Sequence, residues 1–304
     1  CIYDKQKELL FLARDRVGIK PLYYSSLNDQ ICWASELKAI KNFYNDTDFL
    51  QYDYTALYDF LTYKFIPAPK SVFKNINKLE AGHYLEININ NNDIKKVQYW
   101  KLEIIPCKDN IEKAKKKIYD LVKESLDEQM IADVPVGFFL SGGMDSSTLV
   151  AVASQNHTNI NTFSIGFKDK SHDETFYSDI IAEKYQTNHN KKILDEKEIK
   201  ILFNKIKDWF DEPFGDTSCF PTYLVSKFAK KETTVVLSGD GGDEIFGGYN
   251  WYKKFEKAQN TPLKRLKFLK PIVKTLNARS GFLKKFFRKM YIILISDEIK
   301  QYAI

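Results

Sequence analysis

The stretch "VGFFLSGGMDSSTLVAVA", from Val136 to Ala153, decides the fold of the second part of this chain. Apolar residues lead into a run of serines and glycines with one aspartate, and a second apolar run follows. This order predicts a buried strand, a loop of small residues and a helix that begins near Asp145. Glycines let backbone N–H groups approach an anion, and a helix N-terminus adds positive partial charge. The stretch therefore predicts a phosphate-binding loop.

The loop lacks two common phosphate-binding patterns. No lysine follows the glycines as in a Walker A loop, and the GxGxxG spacing is absent. An aspartate inside a phosphate cradle would repel the ligand unless a cation lay between them, so Asp145 suggests a bridging Mg²⁺. A simple helix cap at Asp145 is an equally good interpretation of this loop taken alone.

A second stretch, "VVLSGDGGDEIFGGY" at 235–249, repeats the design of strand, small residues, acid and helix. It favours the metal interpretation, because two such loops at the ends of parallel strands would place Asp145 and Asp243 on one cation. A calcium loop is disfavoured because the alternating D-x-D-x-D-G spacing and the late glutamate are absent.

The remainder of the second half alternates short β-branched runs with helical patterns. Strands are predicted at 136–140, 161–167, 190–194 and 233–239, and helices at 145–154, 174–185, 196–209 and 222–230, after a long helix at 110–131. Such alternation predicts a parallel sheet with helices on both faces, and ligands bind at the carboxyl ends of such strands.

The first hundred residues have a different pattern, which is rich in short strands and turns. Two hairpins are predicted, with turns at Asp4–Lys7 and at Asn28–Asp29, and a helical pattern lies within 52–65. The change to helical periodicity predicts a domain boundary between Trp100 and Ile111.

Composition excludes several classes of protein. The 304 residues are 44% hydrophobic, which suits a packed core and about two domains. No run approaches the roughly 18 apolar residues of a membrane helix, so no membrane partner is expected. The histidines lack metal-ligand spacing, and the cysteines lie far apart without a CxxC pair, which indicates a reducing cytosol. These cysteines are Cys1, Cys32, Cys107 and Cys219.

Basic residues are concentrated at 264–289, where ten Lys or Arg residues occur without an acid. A nucleic-acid or membrane surface is one interpretation. The solvated face of amphipathic helices is favoured, because leucines recur there at helical spacing.

These motifs together resemble a known family. "SGGMDSS" resembles the SGGxDS pyrophosphate loop of ATP-pyrophosphatase enzymes. With "TFSIGF", "DEPFGDTSCFPTYLVSKFAKK" and "LSGDGGDEIFGGY", the chain resembles glutamine-hydrolysing asparagine synthetases. "FLARDRVGIKPLYY" and "WASELKAI" resemble the last part of their amino-terminal glutaminase domain, so the resemblance covers nearly the whole chain.

The resemblance implies an α/β protein of two domains. Residues 1–103 would be the C-terminal part of a β-rich glutamine amidotransferase domain of the amino-terminal-nucleophile type. Residues 104–304 would be a Rossmann-like parallel-sheet PP-loop ATP-pyrophosphatase domain that is incomplete at its C-terminus. The implied enzyme is a cytoplasmic ligase, a homodimer, that uses ATP and Mg²⁺ with aspartate and glutamine as small-molecule substrates; no nucleic-acid partner is expected.

In the implied reaction, ATP adenylates the aspartate side-chain carboxylate and releases pyrophosphate, and ammonia from glutamine then displaces AMP. Asp145 and Asp243 match the Mg²⁺ ligands. Asp240 matches an acidic position beside the ammonia and the acyl-adenylate; some members have the longer glutamate there, and a plain turn residue is the alternative. The positions that match ATP and pyrophosphate contacts are Phe139, Ser141, Gly142, Gly143, Asp145, Ser146, Ser147, Ile165, Ser238 and Gly239.

Two departures from the family suggest a fragment trimmed at both ends. Cys1 aligns with a strand interior late in the glutaminase domain, so it is interpreted as structural and not as the nucleophile. The catalytic lysine expected beyond the second loop has no match in "SDEIKQYAI" at 296–304. We expect neither full glutaminase activity nor full synthetase activity from the chain as given, although nucleotide binding can persist.

Alternatives remain for both function and site. A relative with the same chemistry could amidate a sugar acid or close a β-lactam ring, an RNA-modifying ATP-pyrophosphatase is a second class, and a non-catalytic scaffold is a third. Within "DEPFGDTS", Asp211, Glu212 and Asp216 could line the acceptor pocket or, as is slightly favoured, cap the next helix. "RDRVGIKPLYY" is interpreted as hairpin packing and not as a ligand site.

Overall fold

The structure is a computed structural model that describes residues 1–27, 30–44, 50–168 and 173–259. It divides into two compact units. The first comprises Cys1–Asn110 together with Lys197–Phe220, and the second comprises Ile111–Glu196 together with the described residues from Pro221 onward. The basic stretch at 264–289 lies outside the described residues, so neither interpretation of it is tested.

The described amino-terminal residues of the first unit form two antiparallel sheets, ordered β1-β2-β6-β7 and β4-β3-β5. The strand pairing of both predicted hairpins is confirmed, because β1 pairs with β2 and β3 pairs with β4; the turn predicted at Asn28–Asp29 lies outside the described residues. The elements are β1 (Ile2–Asp4), β2 (Leu9–Ala13), β3 (Tyr23–Leu27), β4 (Gln30–Ala34), α1 (Leu37–Tyr44), α2 (Tyr54–Tyr63), β5 (Asn77–Lys78), β6 (His83–Asn88) and β7 (Ile94–Gln98).

Two apolar clusters fill this part of the first unit. One is built around α1 and α2 and includes the fully buried Ile40 and Ala56. The other lies on the sheet of β2 and β6 and includes Leu12 and Leu85. Alternation of buried and half-buried residues along β6 follows the period of two that a strand imposes on its side chains.

From Ile111 onward, helices and strands alternate as predicted. The elements are α3 (Ile111–Gln129), β8 (Val136–Phe139), α4 (Met144–Ala153), β9 (Asn161–Phe167), α5 (Thr175–Lys184), β10 (Asn188–Leu194), α6 (Glu196–Phe203), α7 (Ile206–Trp209), α8 (Cys219–Ala229), β11 (Val235–Leu237), α9 (Gly242–Phe246) and α10 (Asn250–Gln259).

The described part of the second unit contains a four-stranded parallel sheet with the order β10-β9-β8-β11. The predicted parallel α/β sheet is therefore confirmed. Its central strand β8 carries the fully buried Phe138, and Leu140 directly follows the strand in the same core as Val150 of α4. Phe163 of β9 meets Phe228 of α8 edge-on, with ring centroids 6.1 Å apart.

Two helices differ from the sequence prediction. The predicted helix at 196–209 is divided into α6 and α7, because the Lys205 N–H bonds the Leu202 carbonyl and closes a tighter turn. The apolar face of α3 is only partly covered: Leu126 is buried, whereas Ile111 and Leu121 are exposed.

Two expectations drawn from composition bear on the fold. All four cysteines are free, as their spacing predicts. Among the described residues, no helix combines the length and the apolar character that crossing a bilayer requires.

Candidate functional site

The candidate site lies where the strand order of the parallel sheet reverses. From β8 the chain proceeds to β9 and β10 on one side, whereas β11 pairs with the other side of β8. In open α/β sheets, ligands bind outside the carboxyl ends of the strands at such a switch point. The two strands beside it, β8 and β11, are the ones that lead into the two predicted loops.

The first loop is held in shape by its own serines. The Ser141 N–H donates to Ser146 Oγ at 3.3 Å, and the Gly143 N–H donates to Ser141 Oγ at 3.2 Å. Ser146 Oγ in turn donates to the Gly143 carbonyl at 3.2 Å. The Ser146 hydroxyl is therefore part of the loop's internal framework.

The N-terminus of α4 offers hydrogen-bond donors to an anion. Gly143 is the N-cap and makes no side-chain capping bond, and the first N–H groups of a helix have no acceptor within it. These groups belong to Met144, Asp145 and Ser146. Ser147 Oγ, on the same turn, is buried and has no hydrogen-bond partner among the described residues. An orphaned hydroxyl and free N–H groups suit a phosphate.

The second loop lies directly against the head of α4. A Cβ on Gly239 would be 2.9 Å from both Asp145 Cβ and the Ser146 nitrogen. A Cβ on Gly242 would be 2.5 Å from the carboxyl carbon of Asp145. The structure therefore brings together the two loops that the sequence analysis singled out, and glycine is required at both contacts.

The two candidate metal ligands lie on these adjoining loops. The Asp145 carboxylate packs against Gly242, the residue that precedes Asp243. The Asp243 carboxylate packs against Gly248, whose N–H bonds the Asp243 carbonyl at 2.9 Å. Neither carboxylate forms an ion pair with a lysine or arginine of the described ranges. The same ranges contain no cluster of three or more His, Cys, Asp or Glu residues arranged to hold a metal.

Asp240 is exposed and belongs to the second loop. Its Oδ2 accepts a hydrogen bond of 2.8 Å from the Ser238 hydroxyl. Since that hydroxyl is engaged, the backbone of Ser238 and Gly239 is the part of this pair that remains for a nucleotide. The bond also fixes the direction of the Asp240 carboxylate.

The two positions assigned to adenosine lie on neighbouring strands. Phe139 ends β8 opposite Phe163, and Ile165 of β9 lies opposite Lys192 of β10. Both side chains are half-buried. Phe139 is the last residue of β8, whereas Ile165 is followed by two further residues of β9, and their contact with adenosine stays a prediction.

Tyr177 and Ser178 were missed by the sequence analysis. A Cβ on Gly142, where φ is +86°, would lie 2.6 Å from Tyr177 Cβ and 2.7 Å from the Ser178 nitrogen. The first loop is therefore backed by the first turns of α5. The signal in the sequence was the glycine itself, which indicates close approach of another segment.

The three acids of "DEPFGDTS" do not share one structural role. Asp216 Oδ1 accepts from the Ser218 N–H at 2.9 Å, which shapes the turn that leads into α8 but does not bond an N–H of the helix itself. Asp211 and Glu212 instead bind other residues of the first unit, through Lys38 and Lys78 respectively. The capping interpretation is therefore wrong for these two acids, because their partners lie far away in sequence, whereas the acceptor-pocket interpretation stays a prediction.

Arg14 in "RDRVGIKPLYY" has a structural role. Its guanidinium donates to the carbonyls of Gly18, Lys20 and Leu79, at 2.8, 2.9 and 2.6 Å. These bonds tie the turn at Gly18–Lys20 to Leu79, as the hairpin-packing interpretation of this stretch predicts.

Comparison with known proteins agrees with this architecture. The profile of the asparagine synthase family matches residues 117–301, and that of a glutamine amidotransferase domain matches residues 1–100. A Methanocaldococcus jannaschii protein named as a glutamine-hydrolysing asparagine synthetase is 45% identical over 258 residues, which are 82% of this chain and 48% of that protein. Bacillus subtilis asparagine synthetase 1 is 38% identical, over 83% of this chain and 39% of its own length.

Among solved structures, an NH3-dependent NAD synthetase from Campylobacter jejuni aligns with 64% of this chain and 96% of its own. The identity is 12% and the TM-score is 0.33, so this likeness supports no argument.

A parallel sheet with a glycine- and serine-rich loop at its switch point defines an open α/β domain with a phosphate-binding type of loop. Within that class, the chain belongs to the asparagine synthase family, whose profile matches more than half of its residues. It spans 48% and 39% of the lengths of the two relatives described above.

Proposed function

We propose that the protein containing this chain is a glutamine-dependent asparagine synthetase. ATP adenylates the side-chain carboxylate of aspartate and releases pyrophosphate, and ammonia from glutamine then displaces AMP to form asparagine. The observation that carries the proposal is the contact of Gly239 and Gly242 with Asp145 at the head of α4. It joins two glycine-rich loops, which would together form one surface for the nucleotide and its cation.

The division of labour along the chain is part of the proposal. Residues 1–103 would belong to the amidotransferase domain and residues 104–304 to the synthetase domain. The profile matches at 1–100 and 117–301 support this division. The compact units do not follow the same boundary, since Lys197–Phe220 packs with the amino-terminal residues.

The nucleotide would lie along the first loop. The N–H groups at the head of α4 and the Ser147 hydroxyl would donate to the pyrophosphate portion, while Ser141 and Ser146 hold the loop in shape. The backbones of Phe139 and Ile165 would face the adenosine. Preformed donors stabilise charge that develops on a leaving pyrophosphate without reorganising during the reaction. Gly142, Gly143, Ser238 and Gly239 keep the backbone close to the ligand.

Mg²⁺ suits the residues present. Asp145 and Asp243 offer oxygen ligands on adjoining loops, and no ion pair with a described lysine or arginine neutralises them. When bound, the metal would supply positive charge that lets two carboxylates and the phosphates share one site. The protein's own contribution is to hold the two carboxylates, which it does by packing each of them against a glycine.

Asp240 would act on the incoming nitrogen. Its carboxylate is exposed and is oriented by the Ser238 hydroxyl, which supports a role in accepting a proton from the attacking ammonia. No enzyme nucleophile is needed for this step, because AMP is a good leaving group once the carboxylate is adenylated.

A cytoplasmic location and a homodimer complete the proposal. Four free cysteines suit a reducing compartment. The mass of the full-length protein by light scattering tests the homodimer.

Pyrophosphate release by the full-length protein tests the function. We expect release in the presence of ATP, Mg²⁺ and aspartate, and asparagine formation when ammonia or glutamine is added. Asp145→Asn should lower the rate by about 100-fold or more, whereas Asp120→Asn on the exposed face of α3 should leave it unchanged. Release that depends on a sugar acid or a β-lactam precursor, but not on aspartate, contradicts the proposal.

A further inference from the structure

A nearly buried carboxylate outside the nucleotide site has no part in the function described so far. Glu212 follows α7, and its side chain is 10% exposed. Its Oε1 accepts from the Val72 N–H at 2.7 Å, and its Oε2 pairs with Lys78 Nζ at 2.5 Å. The Tyr23 hydroxyl lies 3.4 Å from the same Oε2. The carboxylate is therefore bound through both of its oxygens.

Lys78 is buried to a similar extent, and its ammonium also binds a second acceptor besides Glu212. Its side chain is 14% exposed, and Nζ donates to the Ile66 carbonyl at 2.6 Å. The ring of Tyr23 lies beside it, with Nζ 5.9 Å from the centroid. Burial and the nearby Glu212 charge raise the pKa of Tyr23, so its hydroxyl stays protonated as a donor. Ile66 and Val72 belong to the apolar core around α1 and α2.

Stability alone is a weak reason for this arrangement. Removing two charges from water costs free energy that their attraction rarely exceeds, and apolar replacements of such pairs are often neutral. A buried ion pair does fix the relative position of the two segments that carry it, because either charge would be left unpaired in the interior if the segments moved apart. Glu212 is therefore better explained as a determinant of position.

Neighbouring contacts hold the same segment at further points. The Asp211 carboxylate accepts from the Lys38 N–H at 3.2 Å, with Lys38 Nζ 3.6 Å away. The Gly215 N–H donates to the Lys64 carbonyl at 2.8 Å. Residues 211–215, here called the acidic strap, thus bind three separate places in residues 1–110.

The acidic strap joins the two family regions of the sequence within a single compact unit. Tyr23, Val72 and Lys78 lie in the range that matches the amidotransferase profile, 1–100. Glu212 lies in the range that matches the asparagine synthase profile, 117–301. The Glu212–Lys78 pair is the most buried charged contact of the strap with the amidotransferase range.

We propose that Glu212 is a positioning residue that couples glutamine use to amide synthesis. The inference rests on the proposed function, in which one region releases ammonia and the other consumes it. Glu212 touches no substrate: it acts through Lys78 and Val72 by holding a segment of the synthase region on the amidotransferase region. Without this contact, we expect glutamine to be hydrolysed without a matching amount of asparagine being formed, while asparagine synthesis from free ammonia continues.

The test compares two nitrogen sources in the full-length protein. With glutamine, glutamate and asparagine are quantified together; with ammonium chloride, asparagine alone is measured. In Glu212→Gln, the single amide oxygen can accept from only one of the two donors, so the amide nitrogen faces either the Lys78 ammonium or the Val72 N–H, donor against donor. We expect the glutamate-to-asparagine ratio to rise by about fivefold or more, while the ammonia-dependent rate stays within about twofold. A merely structural defect would lower both rates together.

Two further variants keep the test decisive. The double variant Glu212→Gln with Lys78→Met leaves no unpaired buried charge, so we expect it to fold even if the single variant does not. Its glutamate-to-asparagine ratio should rise as in the single variant. Glu232→Gln, an exposed glutamate, should behave as wild type. A wild-type ratio in the double variant overturns the inference alone. A wild-type protein that forms no asparagine from either nitrogen source overturns the proposed function and the inference with it.

Discussion

At the scale of single residues, two adjacent serines of the first loop have opposite roles. Ser146 Oγ is bonded to the Ser141 N–H and the Gly143 carbonyl, so it supports the loop. Ser147 Oγ is buried without a partner among the described residues, and such a group costs free energy until a ligand satisfies it. Two residues that look equivalent in "SGGMDSS" are therefore separable by experiment.

Ser147→Ala should weaken ATP binding without lowering stability. The substitution removes an unsatisfied hydroxyl, so the melting temperature should be unchanged or slightly higher. Ser146→Ala should lower stability by about 1 kcal/mol, because it breaks internal hydrogen bonds. Thermal unfolding and calorimetric titration with ATP and Mg²⁺ measure both effects. Equal losses of stability in the two variants would contradict this assignment.

Gly242→Ala should disturb the site through a side-chain contact. The new Cβ would lie 2.5 Å from the Asp145 carboxyl carbon, so the carboxylate must move and Mg²⁺-dependent ATP binding should fall. Gly241→Ala is the matched control: φ there is +91°, yet nothing lies within 4 Å of the new Cβ. It should cost about 1 kcal/mol of stability and leave binding largely intact. Titration of both variants checks this difference.

At the scale of elements, helix termini show how local sequence sets a boundary. Asp53 caps α2: its Oδ1 accepts from the Thr55 N–H at 2.8 Å and from the Ala56 N–H at 3.3 Å. Burial alone would raise the pKa of Asp53, but these hydrogen bonds hold it below the usual value. The opposite end of α2 closes on Lys64, where φ is +67°.

Asp53→Ala should destabilise the protein by about 1 kcal/mol at neutral pH. The folded-state pKa of Asp53 is lowered, so its contribution is complete above the unfolded value of about 3.9 and is lost as the pH falls below it. The difference in melting temperature between wild type and Asp53→Ala should therefore shrink on acidification. Asp53→Asn keeps a capping acceptor that does not titrate, and its difference from Asp53→Ala should persist at low pH.

Most elements could be predicted from the sequence, because strand and helix periods are local. Both hairpins, the strands of the parallel sheet and the helix after "SGGMDSS" are present close to their predicted positions. The division of 196–209 into α6 and α7 was not predictable, since it depends on one tight turn at Lys205. The exposure of Leu121 was not predictable either, because the period of a helix gives its apolar face and not the partner that covers it.

At the scale of the whole molecule, the sheet order creates the site. β11 follows β10 in the chain but pairs with β8, which brings Gly242 to Asp145 across about a hundred residues of sequence. The Lys197–Phe220 segment likewise leaves its neighbours in sequence and packs with the first unit. Both arrangements place residues of distant segments side by side.

Removal of the divalent cation should abolish stabilisation by ATP. At about 100 times its dissociation constant, a ligand that binds only the folded state stabilises it by about 2.7 kcal/mol. With a chelator present, Asp145 and Asp243 would repel the phosphates, so the shift in melting temperature should largely disappear. Hydrogen exchange should show ATP-dependent protection at 141–147 and 238–243. An ATP-induced shift that survives chelation in full would contradict the shared metal site.

The sequence alone determined the local features of this protein: the alternation of strands and helices, the glycine- and acid-rich loops, and the family to which they belong. These follow from backbone preferences and side-chain periods within a few residues. Only the tertiary structure decided that Gly239 and Gly242 contact Asp145, that Tyr177 backs the first loop, and that Glu212 pairs with Lys78. Such contacts form between segments that are far apart in sequence, and they depend on how buried surfaces and charges are matched when the segments pack. A local sequence pattern does not determine this packing.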